Sequence, residues 1–503
     1  MQKRIMKNKN ILQACNLIIF GTNGDLAKKK LLPSLYQLEK KNMLHNDTKI
    51  IGVGRVQFSK EDYIKMVYQS LKISNKKNIK EVIWKKFNNR LSFYNIDINF
   101  PSQFLKLKNI IEEKEKIIIN YLATPPDTFK IICDGLNYSN LNNKNSRIII
   151  EKPLGKSFIT CKKINNHIKK YFTEKQIFRI DHYLGKETIL NLLSLRFANT
   201  LFINNWDNKT IDHIQITIAE SIGIEGRWKY FDKIGQMRDM VQNHLLQILT
   251  IIAMDPPESL DEDQLREKKI SVLKSLRPIN YKNVLKKTVK GQYTSNIIQN
   301  KNIKGYLEEN EANKKSNTET FVCIKANIDN WRWYGVPFYL RTGKRLPIKY
   351  SEIVIYFKKP KINLFKKSLI KLPQNKITIR LQSNEGIDIQ ILNKTPGLNN
   401  KDKLQAIKLN CTYSEIFNYS YLSDSYENLL LESMIGIQKL FVKKEEIEEA
   451  WKWIDLIIEA WKIKKQKIYL YPAGSWGPNK SLLMINKDKR NWNNFNNYQK
   501  NNL

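Results

Sequence analysis

Short apolar runs and helical stripes alternate along the first part of the chain. Cys15–Phe20 (CNLIIF) reads as a buried strand, and residues 26–40 follow as a helix with Leu31, Leu35 and Leu38 on one face. Pro33 lies inside that helix and is a candidate kink. Further strands are predicted at 48–54, 91–98, 116–124, 147–151 and 176–180. Helices are predicted at 102–114, from Asp127 onward and at 186–197, where Ile189, Leu190, Leu193 and Phe197 keep helical spacing. Strand–helix alternation of this kind predicts an α/β, Rossmann-type N-terminal domain.

From about Thr210 the pattern changes. Ile211, Ile214, Ile216 and Ile218 suggest a strand with Glu220 near its end. Residues 235–254 read as one long helix with Met237, Val241, His244, Ile248 and Ile252 aligned. Strands follow at 320–327, 336–342, 352–357, 377–381 and 387–392, then helices at 425–441 and 445–461. This predicts an α+β C-terminal domain with a large, mainly antiparallel sheet. A chain of 503 residues exceeds one ordinary core. The division expected is 1–190, 191–486, and an Asn- and Lys-rich tail, 487–503, that is disordered. The aromatic cluster 330–335 (NWRWYG) reads as a packing feature between strands.

The net charge of +38 would suit a nucleic-acid binder. The lysines are dispersed, however, and the longest basic run is Lys28-Lys29-Lys30, so no nucleic-acid partner is expected. The abundance of Lys, Asn and Ile reads instead as drift in an AT-biased genome. A diffuse positive field would still draw in phosphorylated substrates. No run reaches the ~18 apolar residues of a membrane span, so no membrane association is expected. Gln13 and Asn16 interrupt the N-terminal apolar stretch, which is read as a first strand and not a signal peptide. The five cysteines are far apart and form no CxxC, which fits buried thiols in a reducing, cytoplasmic setting. No His, Cys or Asp cluster has metal-ligand spacing, and no metal is expected.

Candidate chemistry lies at the predicted strand ends. The turn Gly21-Thr-Asn-Gly-Asp-Leu-Ala27 joins a strand to a helix, the geometry that offers backbone N–H groups to a pyrophosphate. Its GxxG spacing meets the dinucleotide fingerprint only in part. Arg55 follows the second strand where an NAD-type fold would place an acid, which favours a 2′-phosphate; the plain alternative is a surface arginine. Lys152 sits at another strand end, held extended by Pro153. The nine residues 179–187 (RIDHYLGKE) concentrate a carboxylate, an imidazole, a phenol and an ammonium. Lys186 opens a helix, where an anion would offset the macrodipole. The alternative is a solvated lysine and a surface histidine. His244 lies on an apolar helix face, but Arg238, Asp239, Gln242 and Asn243 crowd the preceding turn, which marks a site more than a core.

Several motifs in one order (GTNGDLAKKKLLPSLYQL, EKPLG, RIDHYLGKE, LNLLSLRFAN, RDMVQNHLLQ, TETFVCIKANIDNWRW and VPFYLRTGKRLP) closely resemble the bacterial glucose-6-phosphate 1-dehydrogenases. The resemblance runs from about Asn16 to Pro478. It implies an NADP-binding first domain and a second domain for substrate binding and oligomerisation. It implies oxidation of D-glucose 6-phosphate to 6-phospho-D-glucono-1,5-lactone with NADP as acceptor, the first oxidative step of the pentose phosphate pathway. Gly21, Thr22, Asn23, Gly24, Asp25, Leu26, Ala27 and Lys28 would hold the pyrophosphate and Arg55 the 2′-phosphate, with Asp97, Ile98 and Lys152 lining the cofactor. His182, Tyr183, Lys186 and Lys349 would hold the sugar phosphate. Lys152, Glu220, Asp239 and Lys344 would bind the sugar or support that network. His244 would be the general base and Asp181 its orienting carboxylate. A homodimer or homotetramer through the large sheet is implied. Two departures stand out: Asn23, where many members carry Ser or Thr, and Lys229, in a turn where glycine is common. The rival readings are a sugar oxidoreductase of the glucose–fructose oxidoreductase group, against which RIDHYLGKE and RDMVQNH argue, and an inactive structural homologue.

Overall fold

The computed structural model describes residues 12–74, 79–111, 116–366, 371–397, 403–417 and 423–493. The chain divides into two compact units. One comprises Met1–Lys186, Glu258–Arg266 and Ser423–Glu448; the other comprises Glu187–Pro257, Glu267–Leu422 and Glu449–Leu503. The first therefore draws in two segments from far along the sequence.

The first unit is built on six parallel strands: β1 (Cys15–Phe20), β2 (Lys49–Gly54), β3 (Leu91–Asn95), β4 (Ile117–Leu122), β5 (Ser146–Ile150) and β6 (Ile177–Arg179). Their order is β3-β2-β1-β4-β5-β6. That is a doubly wound sheet with its switch point between β1 and β4. β1 and β4 are buried along their whole length, as parallel strands covered on both faces must be. After the Gly21 turn the chain runs through a π-helical turn, Ala27–Leu31, into the α-helix Leu32–Lys40. The wide turn closes with the Leu32 N–H on the Ala27 carbonyl, immediately before Pro33, which has no N–H to continue the ladder. Pro33 thus falls in the first turn of the α-helix, where proline is tolerated.

The second unit carries a nine-stranded mixed sheet: β7 (Ile211–Ala219), β8 (Thr288–Thr294), β9 (Phe321–Asn327), β10 (Pro337–Gly343), β11 (Tyr350–Phe357), β12 (Lys376–Gln382), β13 (Gly386–Lys394), β14 (Leu404–Thr412) and β15 (Tyr469–Pro472). Their order is β14-β13-β12-β11-β7-β10-β9-β8-β15. Only β7/β10 and β8/β15 run parallel; the other neighbours are antiparallel. Trp228, Phe231, Tyr293, Tyr306, Phe321, Tyr339 and Tyr471 form an aromatic core on this sheet.

Two expectations change. The helix expected over 235–254 is present, but it opens as a π-helical run, Met237–Leu245, and continues as the α-helix Leu246–Ala253. Gly235, with φ of 72°, divides it from the preceding helix, which begins at Trp228. A Cβ there would lie 2.4 Å from the Glu319 carboxylate, which accepts the Met237 N–H at 3.1 Å. The glycine lets that carboxylate cap the new helical start. Second, residues 487–493 are packed. Trp492 is buried beneath the Arg341 guanidinium at 4.1 Å, Arg490 pairs with Asp212 at 2.8 Å, and Asn493 donates to Glu352 at 3.0 Å. Composition alone missed these anchors; the tail beyond 493 lies outside the described residues.

Candidate active site

At the switch point of the first sheet, Gly21 has φ of +83° and an added Cβ would lie 2.7 Å from the Ala123 carbonyl oxygen beyond β4. Only glycine fits so close an approach. Its N–H donates to the Val53 carbonyl (2.9 Å), and the Gly24 N–H donates back to the Gly21 carbonyl (2.9 Å). Thr22 is pinned by Tyr63 at 2.9 Å. The turn is thereby fixed on both neighbouring strands and feeds directly into a helix start. Such a cradle fits a dinucleotide pyrophosphate. Asn23 lies beside Gly54 at the end of β2, and Arg55 follows there, exposed. Asp97 and Ile98 lie beyond β3, two strands away from β1. The Asp97 carboxylate accepts from Asn99 at 3.0 and 2.8 Å. Lys152, half-buried, follows β5.

In the same unit the stretch after β6 folds into two overlapping turns. The Leu184 N–H donates to the Asp181 carbonyl and the Lys186 N–H to the Tyr183 carbonyl. The buried Asp181 carboxylate accepts the Tyr183 N–H at 3.0 Å, an Asx-type lock that orients it. His182 lies between two rings, Tyr183 (centroids 5.1 Å apart) and Tyr426 (6.0 Å, nearly parallel). The Lys186 ammonium sits 4.4 Å over Tyr183. An imidazole, a phenol and an ammonium thus gather at one turn, a donor set suited to an anion. Arg179, the last residue of β6, is spent on structure and pairs with Glu174 at 2.6 Å.

In the second unit, parallel pairing of β7 with β10 brings their carboxyl ends together, with Ala219 opposite Gly343. The next residues on each strand are Glu220 and Lys344, joined at 2.8 Å. Asp239, from the π-helical run, approaches the same ammonium at 3.6 Å. Gln236 ties that helix to β10 through Thr342 (2.8 Å). Lys344 is buried; burial pulls its pKa down, but Glu220 and Asp239 outweigh it and hold the group above its ordinary value. His244 is fully buried on the same run as Asp239. In an α-helix, residues five apart diverge by about 140°. In a π register, whose bonds span five residues, they stack one turn apart, so Asp239 and His244 face the same side. Asn243 accepts the His244 N–H at 2.7 Å.

The structure gathers Asp181, His182, Tyr183 and Lys186 in one unit, and Glu220, Asp239, Lys344 and His244 in the other. Lys349 stands apart, exposed on the connection from β10 to β11. Sequence reasoning missed Tyr426, which lies in an apolar helix far along the chain, and Glu151, noted only as part of a strand-end motif. Among the described residues no group of three or more His, Cys, Asp or Glu side chains could hold a metal ion. No helix among them is long and apolar enough to cross a membrane.

Two family models match the chain in tandem: "Glucose-6-phosphate dehydrogenase, NAD binding domain" over residues 18–191 and "Glucose-6-phosphate dehydrogenase, C-terminal domain" over 193–493. The chain is 56% identical over 481 residues to the glucose-6-phosphate 1-dehydrogenase of Dickeya dadantii (strain 3937), covering 96% of this chain and 98% of that one. It is 43% identical to that of Rhizobium meliloti (strain 1021), covering 95% and 97%. A solved structure described as glucose-6-phosphate dehydrogenase in complex with its substrate glucose-6-phosphate superposes with a TM-score of 0.88 at 33% identity, covering 96% and 99%. With both halves matched and relatives of this identity spanning nearly its whole length, the chain belongs to the glucose-6-phosphate dehydrogenase family.

Proposed function

We propose that this chain oxidises D-glucose 6-phosphate at C1 to 6-phospho-D-glucono-1,5-lactone, with NADP as acceptor, the first oxidative step of the pentose phosphate pathway. The observation that carries the reading is the second-unit cluster. A buried lysine clamped by two carboxylates, with a fully buried histidine on the same helical run, suits a polyol beside a base. The names of the relatives and of the substrate-bound neighbour agree with it.

In this reading His182, Tyr183, Lys186 and Lys349 hold the 6-phosphate, while Lys152, Glu220, Asp239 and Lys344 hold or support the sugar hydroxyls. His244 takes the C1 hydroxyl proton, a task matched to the imidazole pKa. Asp181 is its orienting carboxylate and stabilises the imidazolium. Bound NADP supplies the hydride acceptor. The turn Gly21 to Lys28 takes its pyrophosphate, Arg55 its 2′-phosphate, and Asp97, Ile98 and Lys152 line it. The enzyme works as a cytoplasmic homodimer or homotetramer.

The test is absorbance at the reduced-nicotinamide band with glucose 6-phosphate and each cofactor in turn. Faster reduction of NADP than of NAD is expected. No reduction of either with glucose 6-phosphate overturns the activity, and preference for NAD overturns the cofactor.

A further inference from the structure

Glu151 follows β5 and is buried. Its partners are two phenols. Tyr121, on β4, donates to it at 2.5 Å. Tyr426, near the start of the helix Ser425–Ile435, also hydrogen-bonds it. The Tyr426 ring lies nearly parallel to the His182 imidazole, 6.0 Å between centroids and 16° between planes. The helix start and the 181–186 turn are packed backbone to backbone. A Cβ on Gly185 would lie 2.5 Å from the Ser425 carbonyl oxygen, and Asn428 donates to the Gly185 carbonyl at 2.9 Å. A chain of contacts therefore runs from Glu151 through Tyr426 to His182, within one unit.

We propose that Glu151 is a positioning residue of the sugar-phosphate subsite, which through Tyr426 holds the His182 imidazole in its orientation. This rests on the reading of His182 and Lys186 as phosphate ligands.

The chemistry gives the device a pH dependence. An ionised carboxylate only accepts, and it satisfies both phenol donors. Once protonated it loses the charge that strengthens both bonds, and its new O–H donor competes for the phenol oxygens. Burial pushes the Glu151 pKa up to about 7, against the hydrogen bonds of Tyr121 and Tyr426 and the attraction of Lys152; Asp181 adds to the rise. The groups facing it are thus Tyr121 from β4, Tyr426 from the helix, Lys152 from its own strand end and Asp181 from the turn after β6. Falling pH through about 7 should loosen the hold on His182.

The experiment measures KM for glucose 6-phosphate, KM for NADP and kcat between about pH 6 and pH 9 in the full-length enzyme. The variants are Glu151→Gln, Tyr426→Phe and the double variant. Inorganic phosphate serves as a competitive probe of the subsite. Each single change should raise KM for the sugar phosphate and the inhibition constant of phosphate together, by about 3- to 10-fold. KM for NADP and kcat should stay within about twofold. The double variant should match the worse single one, because both changes cut the same chain of contacts. Wild-type KM should rise as pH falls through 7 by more than the substrate's own second phosphate ionisation near ~6 explains, and Glu151→Gln should lose that excess. Unchanged KM, additive losses, or equal losses for sugar phosphate and cofactor would each overturn the proposal. If Glu151→Gln fails to fold, Tyr426→Phe, which keeps the ring, carries the same readouts. Absence of any wild-type activity on glucose 6-phosphate would defeat the functional reading itself, a separate outcome.

Discussion

The sheet of the first unit and the sheet of the second carry their polar groups in different places. The central strands of the first, β2, β1 and β4, bury no charged side chain; the candidate cofactor residues Gly21 and Arg55 come one residue past the carboxyl ends of β1 and β2, and Lys152 two residues past that of β5. The second sheet buries ionisable groups within its strands: His213 in β7, Arg341 in β10, Glu352 in β11, Arg380 in β12 and Asp388 in β13. Arg380 and Asp388 pair at 3.4 Å, and the Arg341 guanidinium lies over the Trp492 ring. The central strands of a parallel sheet wrapped by helices meet apolar side chains on both faces, so their polarity lies at the ends, while the outer strands β5 and β6 do carry partnered charge at Arg147 and Arg179. The mixed sheet can bury charge because segments such as 487–493 bring partners to its face. Yet where two of its strands run parallel, β7 and β10, it also exports polar groups to the shared carboxyl end, at Glu220 and Lys344. Groups past the strand ends should therefore govern kinetics, and groups within strands should govern stability.

The sharpest break of that contrast is His244→Asn, which should cut kcat by at least about 10²-fold while substrate affinity changes little. Asp181→Asn should lower kcat too, and the double variant should lose no more than the worse single one, since both serve one proton transfer. Wild-type turnover in His244→Asn would move the base elsewhere. Next in size, Lys186→Ala should raise KM for glucose 6-phosphate about 10- to 100-fold, the worth of a charge-assisted hydrogen bond. Thermal unfolding of the same protein should be nearly unmoved. An unchanged KM would remove Lys186 from the phosphate subsite. Arg55→Ala should weaken NADP by about 10-fold and leave NAD unaffected, as titration of each cofactor would show. Equal losses for both would mean that Arg55 does not read the 2′-phosphate.

The smallest effect expected concerns Glu352, within β11. Burial raises its pKa from 4.5 to about 7, against the pull of Asn493, Arg341 and Lys376. A folded-state pKa above the unfolded one means that the stability contribution is complete below about 4.5 and is lost as pH rises through about 7. Glu352→Gln should thus raise Tm relative to wild type at pH 8, by roughly 2 °C per kcal/mol recovered, and the gap should close toward pH 5. Kinetics should not change. A variant less stable at pH 8 would show that the ionised carboxylate supports the fold.

Legibility in the sequence followed the same divide. β1, β4 and β6 are buried along their whole length and lie close to their predicted bounds. β8 and β14 escaped the pattern: β8 contains Gly291, and β14 is a largely exposed edge strand, so neither presents a clean apolar face. The helix Lys60–Ser74 was also passed over, although Tyr63, Val67 and Leu71 keep helical spacing. The helix expected over 235–254 is present within a residue of those bounds, but apolar periodicity did not register its π-helical run, Met237–Leu245, or the cap that Glu319, from elsewhere in the chain, places on its start.

The sequence by itself determined what lies within a few residues of its cause: the buried runs of the parallel sheet, the glycine turn after β1, and the Asp181 lock on its own turn. Local hydrogen bonds and side-chain periodicity decide such features wherever the rest of the chain goes. Only the tertiary structure decided that Glu220 meets Lys344, that Asp239 and His244 share a side, and that Tyr426 lies against His182. Each depends on which strand pairs with which, or on which helix packs where. That choice is set by the burial of whole surfaces, to which no short stretch of residues testifies alone.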